Sequence, residues 1–193
     1  MAALAKVLIS KTTLNSDQAT ITFNSIPTSY TSLEMICSVR GTSTTAAQTL
    51  GYTSNAMIFL FNSNSSSNTD CGSQTVTGYT TDNYATAKTY PTTSYTLNTY
   101  RSIVGTVLTD GNTSNAYTVG RFFLNASSST STTKIFNGFM AGYSAEGVSG
   151  IGHMNRVSGM YGSTSAVTRI DISLGTGSFK TGSSFALYGI TTA

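Results

Sequence analysis

The sequence predicts an all-β protein: a single antiparallel β-sandwich, jelly-roll-like, with a long variable loop region in the middle. Three observations predict it. Helical periodicity is almost absent, and the apolar residues alternate with period two or run in short blocks bounded by turn residues. Ser and Thr fill about a third of the positions and charged residues only 9%, yet the chain holds 11 Tyr, 9 Phe and a hydrophobic fraction of 39%. Hydroxyl-rich strands with aromatic inner faces have this composition, and disordered chains lack it. Finally, about nine strand-like segments fit within 193 residues, and a double-sheet jelly roll is a common way to arrange eight or so.

The segments read in order as Lys6–Ser10, Ala19–Ile26, Ser32–Arg40, Ala56–Asn62, Ser102–Thr109, Ala116–Asn125, Lys134–Gly142, Ala166–Leu174 and Ser184–Ile190. Residues 1–18 are expected to form an N-terminal strand or arm, and residues 19–193 the sandwich domain. In AVTRIDISL, Ile170, Ile172 and Leu174 share one face while Arg169, Asp171 and Ser173 share the other, as in a sheet with one wet side. SLEMICSVR places Leu33, Met35, Cys37 and Val39 inward, with Glu34, Ser38 and Arg40 outward. AMIFLF is apolar on both faces, which marks a strand covered on both sides. In the final SSFALYGI, Phe185 and Leu187 point to the core, Ala186, Tyr188 and Ile190 to the other side, and Gly189 allows close backbone approach. Two stretches read as long connections: the polar, Tyr-dotted 62–95 and the Gly-rich 145–165. Loops of that length are usually functional or interfacial.

Charge and chemistry are sparse. The net charge of +3 comes from scattered residues with no Lys/Arg cluster, so nucleic acid binding is not expected. No run of 18 apolar residues occurs, and no secretory signal is visible, because Lys6 interrupts the short apolar start. Cys37 reads as a buried free thiol and Cys71 as a loop residue. Nothing else points to an oxidising compartment, so a bridge between them is not expected. His153 is the single histidine and reads as a loop residue, which leaves no set for a zinc site. Glu34 and Asp171 read as solvent-facing strand residues, poorly placed to act as a raised-pKa acid in glycoside hydrolysis. GVSGIG (147–152) lacks the strand–loop–helix context of a dinucleotide loop, and loops with one Asp apiece are poor calcium ligands. No cofactor, metal site or catalytic residue is therefore expected.

Tyr79, Tyr84, Tyr90, Tyr95 and Tyr100 form the one remaining constellation. Such a series either fastens a long loop onto the sheet or offers a binding surface, since Tyr gives contact area and a hydrogen bond at low entropic cost.

Two blocks carry a resemblance. GMYGSTSAVTRIDISLGTGSFKTGSSFALYGI (159–190) resembles the ending of a broad group of tailed-bacteriophage virion proteins, in which a GLW–STSAI–SITL–GNF–GSSFSLYGI pattern closes a β-sandwich. ATITFNSIPTSYTSLEMICSVRGT (19–42) resembles the opening of the same group, and KIFNGFMAGYS (134–144) sits where it carries a similar strand. Met160-Tyr161 departs from the Leu-Trp that is frequent there, and residues 62–100 have no counterpart. The resemblance implies a virion structural protein: a homotrimer that decorates and cements the capsid by contacts with the major capsid protein. A tail-fibre or receptor-binding tip that recognises host carbohydrate through the Tyr loops is the alternative it leaves, and the stand-alone length with no visible shaft favours decoration. The two closing segments are expected to pair as a sandwich hairpin.

Overall fold

The computed structural model describes residues 4–44, 56–63, 75–80, 88–92, 102–111, 116–146 and 149–192. Twelve strands and no helix occur among them: β1 (Leu4–Thr13), β2 (Thr20–Phe23), β3 (Ser32–Val39), β4 (Ala56–Phe61), β5 (Thr75–Thr80), β6 (Lys88–Thr92), β7 (Ser102–Thr106), β8 (Thr118–Asn125), β9 (Lys134–Glu146), β10 (Ser149–Tyr161), β11 (Ile170–Leu174) and β12 (Ser184–Thr192). They build an eight-stranded sheet of order β1-β12-β3-β8-β9-β10-β5-β6 and a four-stranded sheet of order β2-β11-β4-β7, with every strand pair antiparallel.

The jelly roll is visible in this order. With the β5–β6 and β9–β10 pairs set aside, the strands pair first with last, second with next-to-last, and so inward: β1 with β12, β2 with β11, β3 with β8 and β4 with β7. A long antiparallel ribbon folded over on itself gives this nesting, with β12–β3 and β11–β4 closing each sheet. The β9–β10 hairpin is an insertion between β8 and β11 that continues the larger sheet. β5 and β6, inserted between β4 and β7, extend it further, β5 pairing on β10 and β6 on β5.

Alternation places the core between the sheets. Leu33, Met35, Cys37 and Val39 of β3, Phe122 and Leu124 of β8, Phe136 and Met140 of β9, and Phe185 and Leu187 of β12 face Ile21 and Phe23 of β2, Met57, Phe59 and Phe61 of β4, and Ile170, Ile172 and Leu174 of β11. Phe59 meets Phe122 edge-on at 5.0 Å between ring centres, and Phe61 lies 5.2 Å from the Tyr161 ring. Such aromatic pairs add to the value of the area they bury. Ile58, on the other face of β4, is buried as well, which matches the doubly apolar pattern of that strand. Gly189 lies under Tyr30, and a Cβ there would collide with the tyrosine ring.

Several elements differ from the expectation. The Gly-rich stretch 145–165 is not a connection. Most of it is β10, a 13-residue strand paired along its full length with β9. Two of its three glycines stand opposite large residues, Gly152 across from Tyr143 and Gly159 across from Phe136, and this pairing appears only once the two strands are aligned. The expected loop region at 62–100 contains β5 and β6. β11 begins at Ile170 rather than Ala166, because Asn62 holds the preceding segment. Asn62 adopts a left-handed conformation at the end of β4 (φ 54°), donates to the Ala166 carbonyl at 2.8 Å and accepts from the Thr168 and Arg169 amides. β7 stops at Thr106, short of the expected Thr109. β11 and β12 do not pair as a hairpin: β11 belongs to the small sheet and β12 to the large one. The N-terminal segment forms β1, an edge strand along β12 with a bulge between Leu8 and Ser10.

A candidate interaction face on the eight-stranded sheet

The alternation that fills the core turns every second residue of the large sheet outward. On this outer face, Leu8, Ile36, Val119, Ile135, Phe139, Met154 and Met160 remain 38–55% exposed. Cross-strand register confirms the shared face: Ile36 pairs with Arg121, Arg121 with Phe139, Ala141 with Met154 and Ile135 with Met160. Soluble chains scatter single apolar residues over their surfaces but rarely collect this many on one face.

A groove of about 450 Å³ runs over the middle of the face, lined by Lys11, Ile36, Val119, Arg121, Phe139 and Tyr188. Small outward residues create it. Ser38, Ser184 and Ala186 lie on two adjacent strands between the taller side chains.

The charges of this face are arranged around one carboxylate. Glu34 is 1% exposed and sits between Lys6 on β1, at 2.7 Å, and the Arg121 guanidinium on β8. Lys6 rests over the Tyr188 ring at 4.1 Å, and Arg121 lies over Phe123 at 4.8 Å, contacts that further favour the cations. Burial alone would raise the Glu34 pKa, but the hydrogen bonds and charges of Lys6 and Arg121 outweigh it and hold the carboxyl below its ordinary value. The expectation of a solvent-facing Glu34 is thus corrected: its position is outward in register, but side chains from two other strands close over it.

Asp171 is corrected in the same way. It is buried on the outer face of the small sheet, where Arg169 grips it with Nε and Nη2 at 2.9–3.0 Å and Thr22 donates at 2.6 Å. Burial pushes its pKa up, and Arg169 with Thr22 overcomes that and lowers it. Both carboxylates are held in the ionised form. Arg40, expected outward, is also buried. It donates to the Asp110 carboxylate at 3.2 Å and to the Ala116 carbonyl at 2.9 Å.

His153 lies within β10, opposite Gly142 of β9 and Tyr79 of β5, rather than in a loop. Of the tyrosine series, Tyr79 pairs in register with Lys88 and Tyr90 with Thr77 across the β5–β6 pair. Tyr84, Tyr95 and Tyr100 lie outside the described residues, as does Cys71. Cys37 is a buried free thiol, as expected. No group of three or more His, Cys, Asp and Glu residues comes together among the described residues.

The apolar face was missed by sequence reading because its members sit on five strands, which only the sheet register brings together. The signal available was local: Val119, Phe139, Met154 and Met160 are large apolar residues at the outward beat of their strands. Comparison with protein-family models, curated proteins and solved structures gives no match for this chain.

Proposed function

We propose that the protein is a structural component of a tailed-bacteriophage virion, a trimeric capsid decoration or cement protein that acts by protein–protein contact rather than catalysis. The observation that carries this reading is the outer face of the large sheet, where large apolar side chains from Leu8 to Met160 stand 38–55% exposed. Burial of such a face against the capsid would release that surface from water at roughly 25 cal/mol per Å², and many copies on one shell would multiply the effect. The jelly-roll sandwich and the resemblance of residues 19–42 and 159–190 to virion proteins support the same setting. Ionised, ion-paired Glu34 and Asp171 favour a non-enzymatic role, because neither is poised to give up a proton near neutrality.

Virions that lack this protein test the reading. Decoration predicts particles that lose integrity on heating or at low salt yet adsorb normally to cells. Intact particles with abolished adsorption would instead favour a receptor-binding tip. Light scattering on a sizing column tests the assembly state, and a clean monomer of 20.2 kDa would contradict the trimer.

A further inference from the structure

One transverse row of the outer face crosses six strands: Lys11 on β1, Ala186 on β12, Ile36 on β3, Arg121 on β8, Phe139 on β9 and Arg156 on β10. Cations stand at its first, fourth and sixth positions with apolar residues between them, and beyond Arg156 the register continues to Val76 on β5 and Pro91 on β6. We infer that this row receives an extended acidic segment of a partner protein, one whose carboxylates are separated by apolar side chains. The inference rests on reading this face as the virion contact, and it names the chemistry of what covers it.

Charge complementarity selects the occupant. Lys6, Lys11, Arg121 and Arg156 project from this face, and Glu34 is its one carboxylate among the residues whose side chains are described. Asp110 and Asp171 pair elsewhere, and Asp17 accepts from the Thr181 amide in a loop. Glu34 is shared between Lys6 and Arg121, so the face keeps a positive surplus. Lys11 and Arg156 are exposed and make no ion pair among the described residues. A second copy placed face to face would set these cations against their own kind, which disfavours self-association through this surface.

Shape and spacing narrow the partner. An anionic glycan would be recognised by stacking on aromatic faces, and the groove offers it only the Phe139 ring, since Ile36 and Val119 are aliphatic and Tyr188 already lies under Lys6. Strands lie about 4.8 Å apart, so Lys11 and Arg121 are separated by roughly 14 Å and Arg121 and Arg156 by roughly 10 Å. An extended chain advances about 3.3 Å per residue. Alternate side chains of an extended chain share a face, so carboxylates four residues apart (about 13 Å) would meet the three cations, the longer side chains taking up the difference, and the apolar residues midway between them would lie on Ile36 and Phe139.

The test uses the full-length protein and a fluorescein-labelled peptide with Glu at that spacing and Val or Ala between. A Gln counterpart and polyglucuronate serve as comparison probes. The reporter variant carries Lys11→Glu and Arg156→Glu. Both residues are exposed, and retention of the wild-type melting temperature checks its fold. The inference predicts salt-sensitive binding of the Glu peptide, weakened about tenfold or more in the variant and likewise for the Gln peptide. Equal binding of the Gln peptide, an unchanged variant, absence of peptide binding, or polyglucuronate binding as tightly as the Glu peptide would each overturn it. Rebinding to particles that lack the protein is measured in parallel. Wild-type protein that binds the peptide but no particle contradicts the virion reading alone. Particles that capture wild type and variant equally overturn this inference alone.

Discussion

Lys6 on β1 reaches over β12 to place its Nζ 2.7 Å from Glu34 Oε2 on β3, so a single ion pair ties the edge strand to the interior of the sheet. Arg121 holds the other carboxylate oxygen from β8, and one buried acid thereby joins three strands across a fourth. Glu34→Ala would strand two cations, both of them partly exposed (39% and 48%). The expected loss is about 1–3 kcal/mol, below that of a fully buried pair, because water can reach the orphaned partners. Urea unfolding of wild type and variant measures it, and an unchanged midpoint would show that the cluster contributes nothing.

Acid should weaken the fold through the same carboxylates. Lys6 and Arg121 overcome burial to lower Glu34, Arg169 and Thr22 overcome burial to lower Asp171, and Lys180, opposed by burial and assisted by Arg40, lowers Asp110. A carboxyl whose folded pKa is depressed gives stability that is present above its unfolded pKa and lost as pH falls through the folded one. The melting temperature should therefore hold steady down to about pH 5 and drop below about pH 4. The Glu34→Gln/Asp171→Asn variant should start lower and show a shallower acid slope. An equally steep slope in the variant would assign acid lability to other groups.

Lys134 joins two turns. Its side chain is fully buried, and the carbonyl oxygens of Ser129, Thr132, Ser163 and Thr164, 2.6–3.3 Å from Nζ, share its three N–H donors. Lys134→Met keeps the length of the side chain and leaves those carbonyls facing one another without a donor. A loss of about 2–4 kcal/mol is expected from the unsatisfied polar groups. Calorimetry of the variant reads it, and a loss under about 0.5 kcal/mol would mean that water replaces the ammonium readily.

The Cys37 thiol should be inert in the native protein. It is buried opposite Gly120, and burial raises its pKa to about 12, so almost no thiolate exists at pH 8. Iodoacetamide should leave the peptide that contains Cys37 unmodified until denaturant is added, as mass spectrometry would read. Rapid labelling without denaturant would contradict its placement.

The sandwich was legible where chemistry alternates along one strand. AVTRIDISL and SSFALYGI place Ile172, Phe185 and Leu187 inward on the strength of their own pattern, and all are buried. β10 was not legible because two of its three glycines are matched to bulky residues on another strand, as with Gly159 opposite Phe136. Glu34, Asp171 and Arg40 were misread for a related reason. A period of two fixes the side of the sheet but cannot foresee that Lys6 or Arg121, or Arg169 with Thr22, will fold over an outward acid. The interaction face belongs to the same class: each exposed apolar residue is unremarkable alone, and register across β1, β3, β8, β9 and β10 makes them one surface.

The most direct test of the central claim is methionine oxidation by peroxide in the free protein and in assembled virions. Met154 and Met160 on the outer face are 55% and 38% exposed, whereas Met35, Met57 and Met140 in the core are at most 3% exposed and serve as internal controls. The docking account predicts fast oxidation of Met154 and Met160 in the free protein, strong protection of both in the particle, and slow oxidation of the core methionines throughout. Equal rates for Met154 and Met160 in the two states, or absence of the protein from the particle, would contradict it.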